Sequence, residues 1–288
     1  MTRRDGLVLG MSEDEYHGFG EFEHLRLAEF SSSAAKSILK TAADYEWEYL
    51  KSKPKPPTEA MILGTAVHTK VLGVGAEAVQ VPEEWVLKNG AISSKKEAVE
   101  WVSEQEAKGL VVLTPARFER VQGMTEAVLA HPLASSWLAL DGHPEASVFA
   151  TDPETGIRLR CRFDYLPDDP RASIDLKSTA DASPRGFKSR AHDLKYHVSR
   201  AHYLHTAALA GVPRQEMVFI AVENVAPFKV AVYQFDREQV ERGEIEARRA
   251  RLRLARCLET NTWPGYSTEL EFLEAPAYAM YQDETESQ

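Results

Sequence analysis

Cysteine is scarce in this chain: 288 residues contain two, Cys161 and Cys257. Two thiols cannot build the disulfide framework of a small secreted domain, and they fit a reducing, bacterial cytoplasm. No apolar run approaches the ~20 residues of a membrane span, and the opening MTRRDGLVLG lacks a signal-peptide core. Basic residues are in the minority, 34 against 44 acidic ones, for a net charge of -10. Taken globally, that charge argues against nucleic acid, because duplex binding relies on neutralising phosphates. Internal repeats, low-complexity segments and an interdomain linker are also lacking. The chain has enough hydrophobic residues, 43%, for a packed core. Its length suits one α/β domain with helical additions.

The charge is unevenly spread. Between Arg158 and Arg200 stand ten basic residues, Arg185 and Lys188 among them, against six acidic ones. In the same stretch, RLRCRFDYLPDDPRASIDLKST reads as two strands joined by the turn Pro167-Asp168-Asp169-Pro170, a hairpin. Side chains alternate along a strand, so Asp175 and Lys177 share a face and Leu176 takes the other. Asp164, near the end of the partner strand, can reach that face too. Two carboxylates and an ammonium then crowd one patch. Carboxylate oxygens suit hard divalent cations such as Mg²⁺, and a lysine beside them can orient water or stabilise developing negative charge. A surface ion pair on a hairpin would use the same residues.

Two helices flank this hairpin in the sequence. MILGTAVHTKVLG reads as a buried helix with small residues at Gly64, Thr65 and Ala66, and it carries His68. That imidazole is either a core histidine or a ligand. Residues 194–210 read as a helix on which Tyr196, Ser199, Arg200 and Tyr203 form one polar-aromatic stripe, opposite Val198, Ala201 and Ala208.

The ordered set GTAVH, RCRFD, DLK and YHVSRAHY resembles the PD-(D/E)XK nuclease superfamily, and most of all its RecE-type phage and prophage exodeoxyribonucleases. The segment Phe30-Ser31-Ser32-Ser33-Ala34-Ala35-Lys36-Ser37-Ile38-Leu39, Tyr45, Cys257-Leu258-Glu259 and Trp263-Pro264-Gly265-Tyr266 extend the likeness over about residues 10 to 275. The resemblance implies an αβββαβ restriction-endonuclease-like core. It implies metal ligation by His68, Asp164 and Asp175, helped by the carbonyl of Leu176, with Lys177 positioning the attacking water. Mg²⁺ is the implied metal, with Mn²⁺ as a substitute. Some relatives carry an iron–sulfur cluster on four cysteines, which two cysteines cannot make. The implied activity is exonucleolytic cleavage of double-stranded DNA in recombination. The implied partners are a single-strand annealing protein and further copies of the chain in a ring. Tyr196, Ser199, Arg200, Tyr203, Arg185 and Lys188 are then the candidate DNA contacts. One departure stands out: relatives carry Tyr-x-x-Gln-x-x-x-Tyr where this chain has Ser199 in the Gln position. Serine cannot donate and accept as an amide does, and Arg200 leaves the helix about 100° away.

The remaining pattern divides the chain into an N-terminal helical segment packing on the core (residues 1–57), the nuclease domain (58–275) and an acidic, disordered tail (276–288). Ser12-Glu13-Asp14-Glu15 is a capping box, Ser33 caps a helix to about Lys40, and residues 42–51 continue helical. Lys53-Pro54-Lys55-Pro56-Pro57 breaks the chain. Helices near 94–108 and 115–130 alternate with short strands. Residues 145–152 form a strand, 216–223 and 228–235 a hairpin, and 238–258 a long charged helix. Glu145, where some relatives carry an extra acid, reads as a strand-edge charge. Cys161 reads as a small core residue pointing away from Asp164. Two other classes remain open: a non-catalytic DNA-binding or assembly protein on a decayed nuclease fold, and an endonuclease of the same fold.

Overall fold

The computed structural model describes residues 5–18, 29–52 and 58–275. Its elements in chain order are β1 (Gly6–Val8), α1 (Glu13–His17), α2 (Ser32–Lys40), α3 (Ala42–Tyr45) running into a π-helical turn (Glu46–Lys51), and α4 (Glu59–Leu72). Then come β2 (Ala78–Gln80), α5 (Lys96–Ala107), β3 (Val111–Leu113), α6 (Pro115–Ala130), α7 (Pro132–Leu138), β4 (Gly142–Thr151), β5 (Arg158–Pro167) and β6 (Ala172–Thr179). The chain continues with α8 (Pro184–Asp193), α9 (Tyr196–Leu209), β7 (Glu216–Glu223), β8 (Val230–Tyr233) and α10 (Arg237–Thr260).

Six strands make one sheet in the order β1-β4-β5-β6-β7-β8. Only β6 and β7 run parallel, because α8 and α9 intervene between them as a crossover. The other neighbours are antiparallel. One face of the sheet packs on α4 and α6, joining Leu63, Val67, Val121 and Met124 to Ile174, Leu176, Val218 and Ile220. The other face packs on α8 and α9 through Phe187, Tyr196 and Ala207 against Cys161, Phe163, Met217 and Phe219. Behind α9, α2, α3 and α10 close a further apolar cluster around Ile38, Val198, Ala250 and Leu254. Helix starts are capped by side-chain oxygens: Thr58 accepts from Met61 N, Ser183 from Gly186 N and Asp236 from Gln239 N.

The αβββαβ order expected from the motifs is present, with local differences. Ser31, not Ser33, caps α2, accepting from Ala34 N. Helices α7 and α8 were not read from the sequence; each is short and opens on a proline, which suits the first helical position. The N-terminal segment supplies a strand as well as helices, with β1 covering the edge of β4. Helix α9 is not a half-exposed surface helix. Tyr196, His197, Val198, Arg200, Ala201, His202, Thr206 and Ala207 are all buried, whereas Ala208, expected in the core, is exposed. The reason is its second layer: α10 approaches so closely that a Cβ at Gly243 would stand 2.4 Å from the His197 carbonyl oxygen. Cys161 is buried in the α9-side cluster, as expected. The 53–57 break and the acidic tail lie outside the described residues.

The α9–α10 seam is locked by Glu246, a buried carboxylate that accepts from Lys195 Nζ and Arg242 Nε, both at 3.0 Å. Burial opposes its charge, but these bonds outweigh it and hold its pKa down at about 2. A depressed carboxylate stabilises the fold above its unfolded pKa, and that stability is lost as pH falls towards 2. Glu246→Gln is therefore expected to cost about 2 kcal/mol at pH 7. Urea unfolding should show the variant and the parent converging between about pH 4.5 and 2; a constant gap would contradict the linkage.

Candidate active site

Strands β5 and β6 share one registered pair, Tyr165 with Ile174. Asp164 and Asp175 lie one residue further along each strand, where the ladder opens. The Leu176 N–H donates there to Asp164 Oδ2 at 2.7 Å. The Leu176 carbonyl accepts from His68 Nε2 at 2.8 Å. Leu176 of β6 is thus held on both sides, its N–H by a carboxylate from β5 and its carbonyl by an imidazole from α4. A turn-over of β5 makes this reach possible. Phe163 packs on the α9 side and Tyr165 on the α4 side, although strict alternation would put both on one face. Opposite Asp164, between the pairs Pro144–Tyr165 and Ala146–Phe163, Glu145 of β4 adopts a left-handed φ of 49°.

On the neighbouring face of β6, Lys177 Nζ stands 2.5 Å from Asp175 Oδ2. Burial works against the Lys177 ammonium, but Asp175 and Asp164 outweigh it and raise its pKa above the ordinary lysine range. Burial pushes the Asp175 carboxyl up, partly opposed by Lys177. Glu145 is half-buried, and burial followed by Asp164 lifts its carboxyl to about 8. Among the described residues β1 pairs only with Ser147–Phe149 of β4, so Glu145 lies past the stretch that β1 covers, half-buried opposite Asp164. Of these residues, His68, Leu176 and Lys177 line a cleft of about 670 Å³, whose walls also include Gly64 of α4, Arg190 of α8, and Tyr196.

The residues this geometry gathers fall within a known family: a PDDEXK-like domain of unknown function (DUF3799) matches residues 31–276. The chain belongs to that family. It is also similar in structure to a candidate exonuclease from Eubacterium rectale, 10% identical, with a TM-score of 0.61 over 96% of this chain and 98% of that one. A phage-related exonuclease from Haemophilus somnus 129PT is 11% identical and covers 81% of this chain and 96% of its own, at a TM-score of 0.33. The first likeness is one of fold; the second overlap is too loose to add to it. No curated protein matches the chain.

Of the expected DNA contacts in this PDDEXK-like domain, Tyr196 lines the cleft. Tyr203 does not: its ring packs edge-on against Phe163, centroids 5.2 Å apart, as part of the core. Arg200 is also removed from the cleft. It is buried, and its guanidinium is held by Glu216 Oε2 at 2.8 and 3.0 Å on the far side of α9. A buried, paired guanidinium is not free to take a phosphate. Ser199 is half-buried, does not line the cleft and has no side-chain partner among the described residues. Arg185 and Lys188 are exposed on α8, whose cleft-lining residues are instead Gly186, Ser189, Arg190 and Asp193. The reading from sequence thus missed Arg190 and Glu145. Arg190 could have been found only by placing a helix at 184–193, which Pro184 and Gly186 disguised.

A divalent cation is the group this family implies. Among the described residues, no three His, Cys, Asp or Glu side chains stand together at ligand spacing. Asp175 is turned onto Lys177, and the Leu176 carbonyl is taken by His68. The donor chemistry nevertheless fits. A carbonyl only accepts, so His68 Nε2 donates to it, and in the neutral ring this leaves the Nδ1 lone pair free for a cation. That nitrogen is 3.7 Å from Asp164 Oδ2, and two acceptors at such a spacing suit a cation between them. His68→Ala leaves the Leu176 carbonyl without its partner. It is expected to cost about 1 kcal/mol in thermal unfolding without metal; an unchanged melting temperature would show that the bond contributes nothing.

Proposed function

We propose that this protein is a Mg²⁺-dependent deoxyribonuclease that hydrolyses phosphodiester bonds of double-stranded DNA from an end. The observation that carries this reading is the hold of Asp164 and His68 on the backbone N–H and carbonyl of Leu176. It sets Asp164, His68, Asp175 and Lys177 around one point at the border of an open cleft, inside a nuclease fold. The residues that would hold the cation are Asp164, Asp175 and His68 with the Leu176 carbonyl, and Asp175 would exchange its contact with Lys177 for it. A cation bound there supplies Lewis acidity at the phosphate and lowers the pKa of a coordinated water. Lys177, kept charged by the two carboxylates, orients the attacking water and stabilises charge on the phosphate oxygens as the P–O bond breaks. Arg190 and Tyr196 flank the strand on the cleft wall. His68 and Asp164 keep the β6 peptide in place.

The exonucleolytic mode rests on the resemblance to RecE-type enzymes and on the description of the Eubacterium rectale neighbour as a candidate exonuclease. Within the same reading, the substrate is a duplex end in recombination, and a ring of copies and an annealing protein are the partners. Digestion of an end-labelled linear duplex with and without Mg²⁺ tests activity and polarity together. A covalently closed circle distinguishes the exonuclease from an endonuclease. No cleavage of either substrate would leave the non-catalytic DNA-binding reading.

A further inference from the structure

We propose that Lys36, on α2, is a phosphate-binding residue that holds a DNA phosphate beside the one being cut. The proposal rests on the nuclease reading and adds a positioning residue that the Asp-Lys motif does not contain. Lys36 is half-buried, yet among the described residues its ammonium has no ion pair and no hydrogen bond. What it meets is the ring of Tyr196, 5.4 Å from its centroid. Lys177 Nζ approaches the same ring at 5.7 Å. Two ammonium groups therefore approach one aromatic ring, and that ring lines the cleft.

The contrast with other buried cations is informative. Arg162 donates to Ser147 Oγ at 2.9 Å, Arg200 is held by Glu216, and Lys177 has Asp175. Among the described residues, Lys36 has no such partner in contact. Burial and then the Lys177 ammonium press its pKa down to about 8, with Asp175 only partly offsetting them. An ammonium held half out of water next to another ammonium is unfavourable unless an anion joins them. A cation–π contact of this kind returns only about 0.5–2 kcal/mol. A phosphate oxygen is a strong acceptor for exactly such a point charge, and a strand in the cleft brings phosphates at regular spacing. Lys36 would then fix the strand from the α2 side while Arg190 stands on the opposite α8 wall.

The test is duplex binding by fluorescence anisotropy over a salt series, in Ca²⁺ so that the duplex stays intact, for the parent, Lys36→Met and Lys36→Arg. Lys36→Met keeps the packing on Tyr196 and removes the charge. It is expected to weaken binding by about three- to tenfold and to lower the slope of log K against log salt by about 0.9, one phosphate contact. Lys36→Arg should keep the parental slope. Packing alone would lower the melting temperature and leave the slope unmoved. If Lys36→Met does not fold, Lys36→Gln carries the same charge loss. Comparing duplexes with phosphate and hydroxyl ends separates an internal phosphate from a terminal one, and a loss on either supports the assignment. A parent that binds and cleaves duplex DNA while Lys36→Met matches it in affinity and slope overturns this inference alone. A parent that neither binds nor cleaves DNA overturns the nuclease reading and this inference together.

Discussion

Asp175→Asn is expected to lower Mg²⁺-dependent duplex cleavage by on the order of a thousandfold or more, corresponding to about 4 kcal/mol of transition-state stabilisation. Asparagine keeps the volume and still offers Lys177 an oxygen, but it removes the negative charge that both holds a cation and supports the Lys177 ammonium. The loss should appear in kcat, because DNA binding depends on cations elsewhere in the cleft. Thermal unfolding should move little: burial already penalises the Asp175 carboxylate, and a neutral amide escapes that penalty. Isothermal titration should show weakened Mg²⁺ binding in the same variant. Cleavage at the parental rate would remove the catalytic role from this strand.

Lys177→Met should lower the turnover rate by about a hundred- to a thousandfold, the usual cost of losing one preorganised donor at a developing charge. Here the metal titration should behave differently. On the proposed mechanism Lys177, 2.5 Å from Asp175 Oδ2, would compete with a cation for that carboxylate. Removing that competitor should leave Mg²⁺ affinity unchanged or tighter while activity falls. Tighter binding with lost turnover separates a catalytic ammonium from a ligand-supporting one. Lost metal binding in Lys177→Met would make the lysine structural, and the mechanism given above would fail.

The hairpin was legible because its information is local. A Pro-Asp-Asp-Pro turn and strict alternation place Asp175 with Lys177 and opposite to Leu176, and the structure keeps that arrangement. The core order around the site was legible for a related reason: each element carries its own periodicity. What alternation could not convey is the turn-over of β5 at Asp164. It depends on Glu145 taking a left-handed backbone in a neighbouring strand and on the ladder opening beyond one pair. Arg200 shows the same limit from the other side. Its helix was read correctly, but its side chain turns away from the cleft to Glu216 of β7, sixteen residues on and brought close only by the crossover.

The sequence by itself determined which groups could do chemistry here: two carboxylates, a lysine two residues beyond the second, and a histidine on a small-residue helix, in the order of a PDDEXK domain. Tertiary structure alone decided which side chains share the cleft. It turned Arg200 and Tyr203 into supports behind it, brought Arg190 to its wall, and set Glu145 near Asp164 and Lys36 over the Tyr196 ring. The physical reason is the range of the determinants. Turns, caps and alternation are set within a few residues, whereas burial, charge pairing and the facing of helices depend on neighbours that only the packed sheet supplies.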